Sequence, residues 1–132
     1  MTELNNNLMV EQPHAIIVED EESLSTIFSK AIDMAGYSVE VIANGQDALN
    51  RFENYAPQLI LLDLHLPQVT GDEIIEKLRQ NPAFDKTRII LATADARLGN
   101  HVESKADLVL IKPIRFSTLK RLASRFNPRT SA

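Results

Sequence analysis

The chain of 132 residues contains no cysteine and no tryptophan. Without thiols it has no disulfide, no thiolate metal site and no cysteine nucleophile, a composition that fits a reducing, cytoplasmic compartment. Aromatic residues make up only 5 %, and none interleave with the basic residues near the C-terminus, so base stacking on nucleic acid is not supported. Long apolar runs are also missing: stretches such as Leu59 to Leu62 fall far below the roughly 20 residues that span a bilayer. The first residues, MTELNNNLMVEQ, lack the basic start and apolar stretch of a secretory leader, and none is expected. Positive charge is absent at the beginning, where no Lys or Arg precedes Lys30, and concentrated at the end, where six of 14 fall in the last 21 positions. The net charge of −4 does not suggest a nucleic-acid binder. What remains is 44 % apolar and 24 % charged residues in a length typical of one globular domain.

Residues 1–12 are polar and without apolar period, and read as a flexible arm. From His14 short apolar runs alternate with stretches of helical period. AIIV (15–18), SVEVI (38–42), LILL (59–62), RIILA (88–92) and LVLI (108–111) read as strands. Between them, Leu24, Ile27, Phe28, Ala31 and Ala35 stripe one helix that Gly36 ends, with Ser23 or Ser25 placed to start it. Ala48, Leu49 and Phe52 stripe a second, and Ile74, Ile75 and Leu78 a third behind the capping-box pattern Thr70–Glu73. Leu119, Leu122, Ala123 and Phe126 stripe the last. The segment 95–107 has only Leu98 and Val102 as apolar helical positions and carries Gly99, so a short or irregular helix is predicted. Five strands alternating with helices imply a doubly wound α/β fold with a five-stranded parallel sheet, spanning 13–127 before a short tail at 128–132.

In such folds chemistry collects beyond the carboxyl ends of the strands. The polar residues there are Glu19 and Asp20 after the first strand, Asp63 after the third, Thr93 after the fourth and Lys112 after the fifth. Any one of them is an ordinary loop residue on its own; their joint occurrence is the signal. LILLD sets an acid directly against an apolar run, where desolvation demands a compensating charge. Carboxylates of this number suit a hard cation such as Mg²⁺ or Mn²⁺. Metal, Lys112 and the Thr93 hydroxyl would then favour a phosphoryl group, which a carboxylate can accept as an acyl phosphate.

The stretches IIVEDEE, LILLDLHLPQVTG, IILATA and LVLIKPI, in this order, resemble the receiver domain of bacterial two-component response regulators over residues 14 to about 126. The resemblance implies a flavodoxin-like fold with strand order 2-1-3-4-5. It makes Asp63 the phospho-acceptor and Glu19, Asp20, Asp63 and the His65 backbone carbonyl the Mg²⁺ site. Lys112 and the backbone amides of Leu64 and Ala94 become phosphoryl contacts, Thr93 the switch hydroxyl and Lys112–Pro113 a cis peptide. The phosphoryl donor would be a sensor histidine kinase or a histidine phosphotransfer protein, and a downstream protein would read the result. Such a protein is not an enzyme in the usual sense, although it catalyses its own phosphorylation and dephosphorylation.

Two departures stand out. The family usually has Tyr or Phe three residues before the lysine, where this chain has Val109, and the segment from Thr93 to Lys112 is about three residues shorter than the usual pattern. Both remodel the face commonly used for dimerisation, so a monomer or weak dimer is expected. His65 and Asp95 lie at the rim; the histidine reads as a gate for water, a metal ligand or a solvated loop residue. His14 and His101 receive no role. Two rival functions remain: a degenerate receiver that binds partners without phosphorylation, and an aspartyl-phosphate phosphatase. A phosphatase would want a second acid where His65 stands.

Overall fold

The computed structural model describes residues 12–130; apart from Gln12, the expected flexible arm lies outside the described residues. The elements are β1 (His14–Val18), α1 (Glu22–Met34), β2 (Ser38–Ile42), α2 (Gly45–Phe52), β3 (Leu59–Asp63), α3 (Gly71–Arg79), β4 (Arg88–Thr93), α4 (Ala96–Val102), β5 (Leu108–Ile111) and α5 (Phe116–Phe126). All strand pairs are parallel and the sheet order is β2-β1-β3-β4-β5. This is a flavodoxin-like fold, and α4 is the short helix that its sparse apolar pattern predicts.

The central strands β1, β3 and β4 carry near-continuous apolar runs because both their faces are covered, whereas β2 and β5 at the edges are only partly buried. Successive residues alternate between two cores. Ile16, Val18, Ile60, Leu62, Ile89 and Leu91 face α2, α3 and α4, where Phe52, Ile75 and Leu78 meet them. Ala15, Ile17, Leu59, Leu61 and Ile90 face α1 and α5, closed by Phe28, Ile32, Leu119 and Ala123. Each fully buried Ile or Leu contributes roughly 1.5–3 kcal/mol through removal from water, so the sheet is a stiff platform for its C-terminal ends. Among the described residues no helix is long and apolar enough to cross a membrane.

Three local details differ from the periodic reading. Ile27 is 46 % exposed, because the inward line of α1 runs Leu24, Phe28, Ala31 and Ala35, and Ile27 lies one position off it. Glu21, not a serine, occupies the N-cap of α1; the Ser25 hydroxyl instead donates to the Glu22 carbonyl at 3.0 Å. Finally, β3 and β4 each run one residue further than the apolar run, so Asp63 and Thr93 are the last strand residues rather than the first loop residues. Their backbones are fixed by the sheet, in register with Ala92 and Ile111.

Candidate functional site

The C-terminal ends of β1, β3 and β5 bring together the acids and the lysine. Glu19 and Asp20 follow β1 directly, and carboxylate oxygens of Glu19, Asp20 and Asp63 all lie within 4.8 Å of one another. Glu19 and Asp63 are buried, at 3 % and 4 % exposure, while Asp20 is exposed. Lys112 Nζ donates to Glu19 Oε1 at 3.0 Å and lies 3.4 Å from Asp63 Oδ2. Its backbone is set by an N–H bond to the Thr93 carbonyl at 2.7 Å and a cis Lys112–Pro113 peptide. The remaining carboxylate oxygens are held by main chain: the Glu21 N–H donates to Glu19 Oε2 at 3.2 Å, and the His65 N–H to Asp63 Oδ1 at 3.0 Å.

Two buried carboxylates at this separation repel by about 3 kcal/mol at an effective dielectric near 20. Burial pushes the Glu19 carboxyl above its ordinary range and the Asp63 charge adds to this, against the opposing pull of Lys112 and the Glu21 N–H. Burial alone would depress the Lys112 ammonium, yet its bonds to Glu19 and Asp63 hold it above its ordinary value. Lys112 is therefore charged, and three carboxylates with one ammonium leave two formal negative charges. That deficit and the oxygen-only donor set fit a divalent hard cation.

Thr93 is fully buried, and its hydroxyl accepts from the Asp95 N–H at 3.0 Å. The Asp95 carboxylate in turn caps α4, accepting from the N–H groups of Arg97 at 2.9 Å and Leu98 at 3.4 Å. Ala94, between them, is exposed. His65 contributes its backbone; its side chain is exposed. Val109 is half-buried, beside Leu91 and packed on the core.

One expectation needs correction. The Leu64 amide is not available to a phosphoryl group, because its N–H donates to the Ala92 carbonyl at 3.0 Å and continues the β3–β4 ladder. The next amide, that of His65, faces Asp63 instead. The Glu21 N–H was not foreseen either. Both donors follow a buried acid by two residues, a spacing that marks a turn in which a carboxylate bonds the main chain ahead of it.

The sequence matches the response regulator receiver domain family over residues 15–124. The phosphate regulon transcriptional regulatory protein PhoB of Rhizobium meliloti is 35 % identical over 84 % of this chain and 49 % of its own length. The chain thus spans about half the length of the curated relatives it matches. Among solved structures, the chemotaxis response regulator CheY4 of Vibrio cholerae superposes with a TM-score of 0.78 at 25 % identity, covering 87 % of this chain and 98 % of that one. The receiver domain of sensor histidine kinase PA1611 from Pseudomonas aeruginosa, which holds a magnesium ion in its active-site cleft, gives 0.77 at 25 % identity over 87 % and 97 %. Sheet order, the acidic cluster, the facing lysine and these matches agree: the chain belongs to the receiver domain family of two-component response regulators.

Proposed function

We propose that Asp63 accepts a phosphoryl group from a phosphohistidine donor, a sensor histidine kinase or histidine phosphotransfer protein. The observation that carries this reading is Lys112 Nζ bridging Glu19 at 3.0 Å and Asp63 at 3.4 Å, beside three clustered carboxylates. Glu19, Asp20, Asp63 and the His65 carbonyl would hold Mg²⁺ or Mn²⁺, which when bound supplies positive charge to phosphoryl oxygens. A carboxylate oxygen of Asp63 attacks phosphorus; the P–N bond to the donor imidazole breaks, its electron pair stays on nitrogen, and an acyl phosphate forms. Lys112 neutralises charge on the transferred group, and the N–H groups of His65 and Ala94 donate to its oxygens. The Thr93 hydroxyl leaves Asp95 to reach the same oxygens. Hydrolysis by water later returns the carboxylate.

A donor needs a surface beside Lys112. A groove of about 540 Å³ between α1 and the 112–114 turn, lined by Leu24, Ile27, Pro113 and Ile114, supplies an apolar one. Ile27, left outside the core by the phase of α1, would lie in that contact.

Incubation with Mg²⁺ and acetyl phosphate should add one phosphoryl group, mapped by mass spectrometry to Asp63. Asp63→Asn should remain unlabelled, and labelling equal to wild type would refute the acceptor. Mg²⁺ should also raise the melting temperature of the wild type. Asp20→Asn should lose that rise and melt higher than wild type without metal, since it relieves repulsion within the cluster. Val109 favours a second reading, a module whose partner binds irrespective of phosphorylation; an Asp63→Asn variant that still binds its partner at full affinity would establish it.

A further inference from the structure

Gly45 opens α2, directly after its Asn44 N-cap, and in sequence it is remote from every site residue. In space it supports the loop that follows Asp63. A Cβ placed on Gly45 falls 2.3 Å from the Val69 carbonyl oxygen, 2.9 Å from Val69 Cβ and 3.1 Å from the Val69 carbonyl carbon. Two of these three atoms are main chain, so no rotamer change relieves the overlap. Helix α2 itself has no need of a glycine there, because its first turn is capped by Asn44 and alanine is the better helix former. The missing side chain serves the neighbouring loop.

That loop, residues 64–70, is held at both ends. At its start, Gly71 N–H donates to the Leu64 carbonyl at 3.2 Å, and a Cβ on Gly71 would lie 2.3 Å from the Asp63 carbonyl oxygen. At its end, Val69 rests on Gly45. Between them Gln68 adopts φ 67°, a left-handed conformation that a free loop of this sequence would not favour. His65 is therefore fixed by supports on either side of it.

We propose that Gly45 is a positioning residue for the phosphoryl site: by seating Val69 it sets the loop height that places the His65 N–H on Asp63 Oδ1. The proposal rests on the functional reading above. It adds a residue from α2, an element that contributes no side chain to the acidic cluster.

The decisive comparison is Gly45→Ala against Asn44→Ala. The second removes the Asn44 side chain, whose hydrogen bonds run to Asp47, accepting from its N–H and donating to its carboxylate, each at 2.9 Å, and so weakens α2 while leaving the Gly45–Val69 contact free of any added atom. Two readouts are taken: the chemical shift of the His65 amide in metal-free protein, and the Mg²⁺ dissociation constant from an NMR titration. Gly45→Ala should displace the His65 amide resonance and weaken Mg²⁺ binding roughly 10-fold or more, the range seen when support behind a metal ligand is lost. Asn44→Ala should lower the melting temperature while leaving both readouts at wild-type values. If Gly45→Ala does not fold, Val69→Gly tests the same support without adding an atom and should shift both readouts in the same direction. Wild-type Mg²⁺ affinity and an unmoved His65 amide in whichever variant folds overturn the proposal, as do equal effects in Asn44→Ala. A wild-type protein that does not bind Mg²⁺ at all would overturn the functional reading instead.

Discussion

Asp63 stands between two loops of opposite construction. On the β3 side, loop 64–70 is supported by close backbone approaches, the Gly71 N–H bonding the Leu64 carbonyl and Val69 resting on Gly45, and by one side-chain cap, the Glu73 carboxylate accepting from the Thr70 N–H and hydroxyl at 3.4 and 3.0 Å. On the β4 side, the segment from Thr93 to Lys112 holds a seven-residue helix and a single turn of 3₁₀ helix at Glu103–Lys105. Here Gly99 also approaches the sheet closely, but what it meets is side chain: Val109 Cγ1, Thr93 Cγ2 and Ile111 Cδ1 at 2.9, 3.3 and 3.7 Å from a Cβ in its place. Ile111 remains 46 % exposed beneath the short helix. Backbone supports admit one arrangement, whereas side-chain contacts can repack. In the function proposed above, the groups that would hold still around a phosphoryl group lie on the first loop, and the hydroxyl that would move lies on the second segment.

The difference is open to a direct test with one added methyl group on each side. Gly71→Ala drives a Cβ into the Asp63 and Leu64 backbone and should destabilise the protein by roughly 2–3 kcal/mol, the upper part of the range for overpacking. Gly99→Ala meets the Val109 and Thr93 methyls rather than backbone and gains about 0.5–1 kcal/mol of helix propensity, so its net loss should be smaller than that of Gly71→Ala, at about 1 kcal/mol. Urea unfolding of the two variants measures both. Equal losses would erase the distinction between a rigid and an adjustable side.

A smaller response is expected from the output face. A modification shifts a conformational equilibrium only by its different interaction with the two states. With Val109 in place of an aromatic ring and α4 reduced to seven residues, this face has no ring to swing, so any repacking that follows a shift of Thr93 should stay within the segment after β4. Beryllofluoride with Mg²⁺, which mimics the acyl phosphate, should perturb residues 93–99 and 64–70 yet leave the mass measured by light scattering unchanged. A clean shift to twice the mass would show that the β4 side has a second packing arrangement that Val109 does not prevent.

The sheet and the acidic cluster were legible in the sequence because they follow from period and position. Strands buried on both faces leave four-residue apolar runs, and the first acid after such a run lies at the sheet's C-terminal end. What escaped the reading depends on backbone direction and close approach. The Leu64 and His65 amides are adjacent in sequence, and only the continuation of the ladder to Ala92 decides which of them faces Asp63. Ile27 fits the helical period as well as its neighbours do, and the exact phase of α1 leaves it outside. The contact between Gly45 and Val69 joins segments that no periodicity relates. In a sequence, a glycine that makes room for another segment looks the same as one that makes a turn.

The smallest expected effect is a pH dependence at the cap of α4. The contacts of Val69 with Gly45 and of Gly71 with Leu64 hold no titrating group, whereas α4 depends on a carboxylate cap. The hydrogen bond from the Arg97 N–H, helped less strongly by the Leu98 N–H and the Arg97 guanidinium 3.6 Å away, holds the Asp95 carboxyl below the ordinary aspartate range, although desolvation opposes it as the second-largest effect. Because the folded value is depressed, the cap contributes fully above the pKa of a free aspartate and is lost as pH falls through the lower folded value. Acid titration followed by NMR should move the Arg97 and Leu98 amides together with a midpoint below that of free aspartate. Asp95→Asn, which keeps a capping oxygen without a titrating proton, should abolish the movement. Persistence of the same titration in Asp95→Asn would trace it to another group and remove the cap as the origin of the softer side.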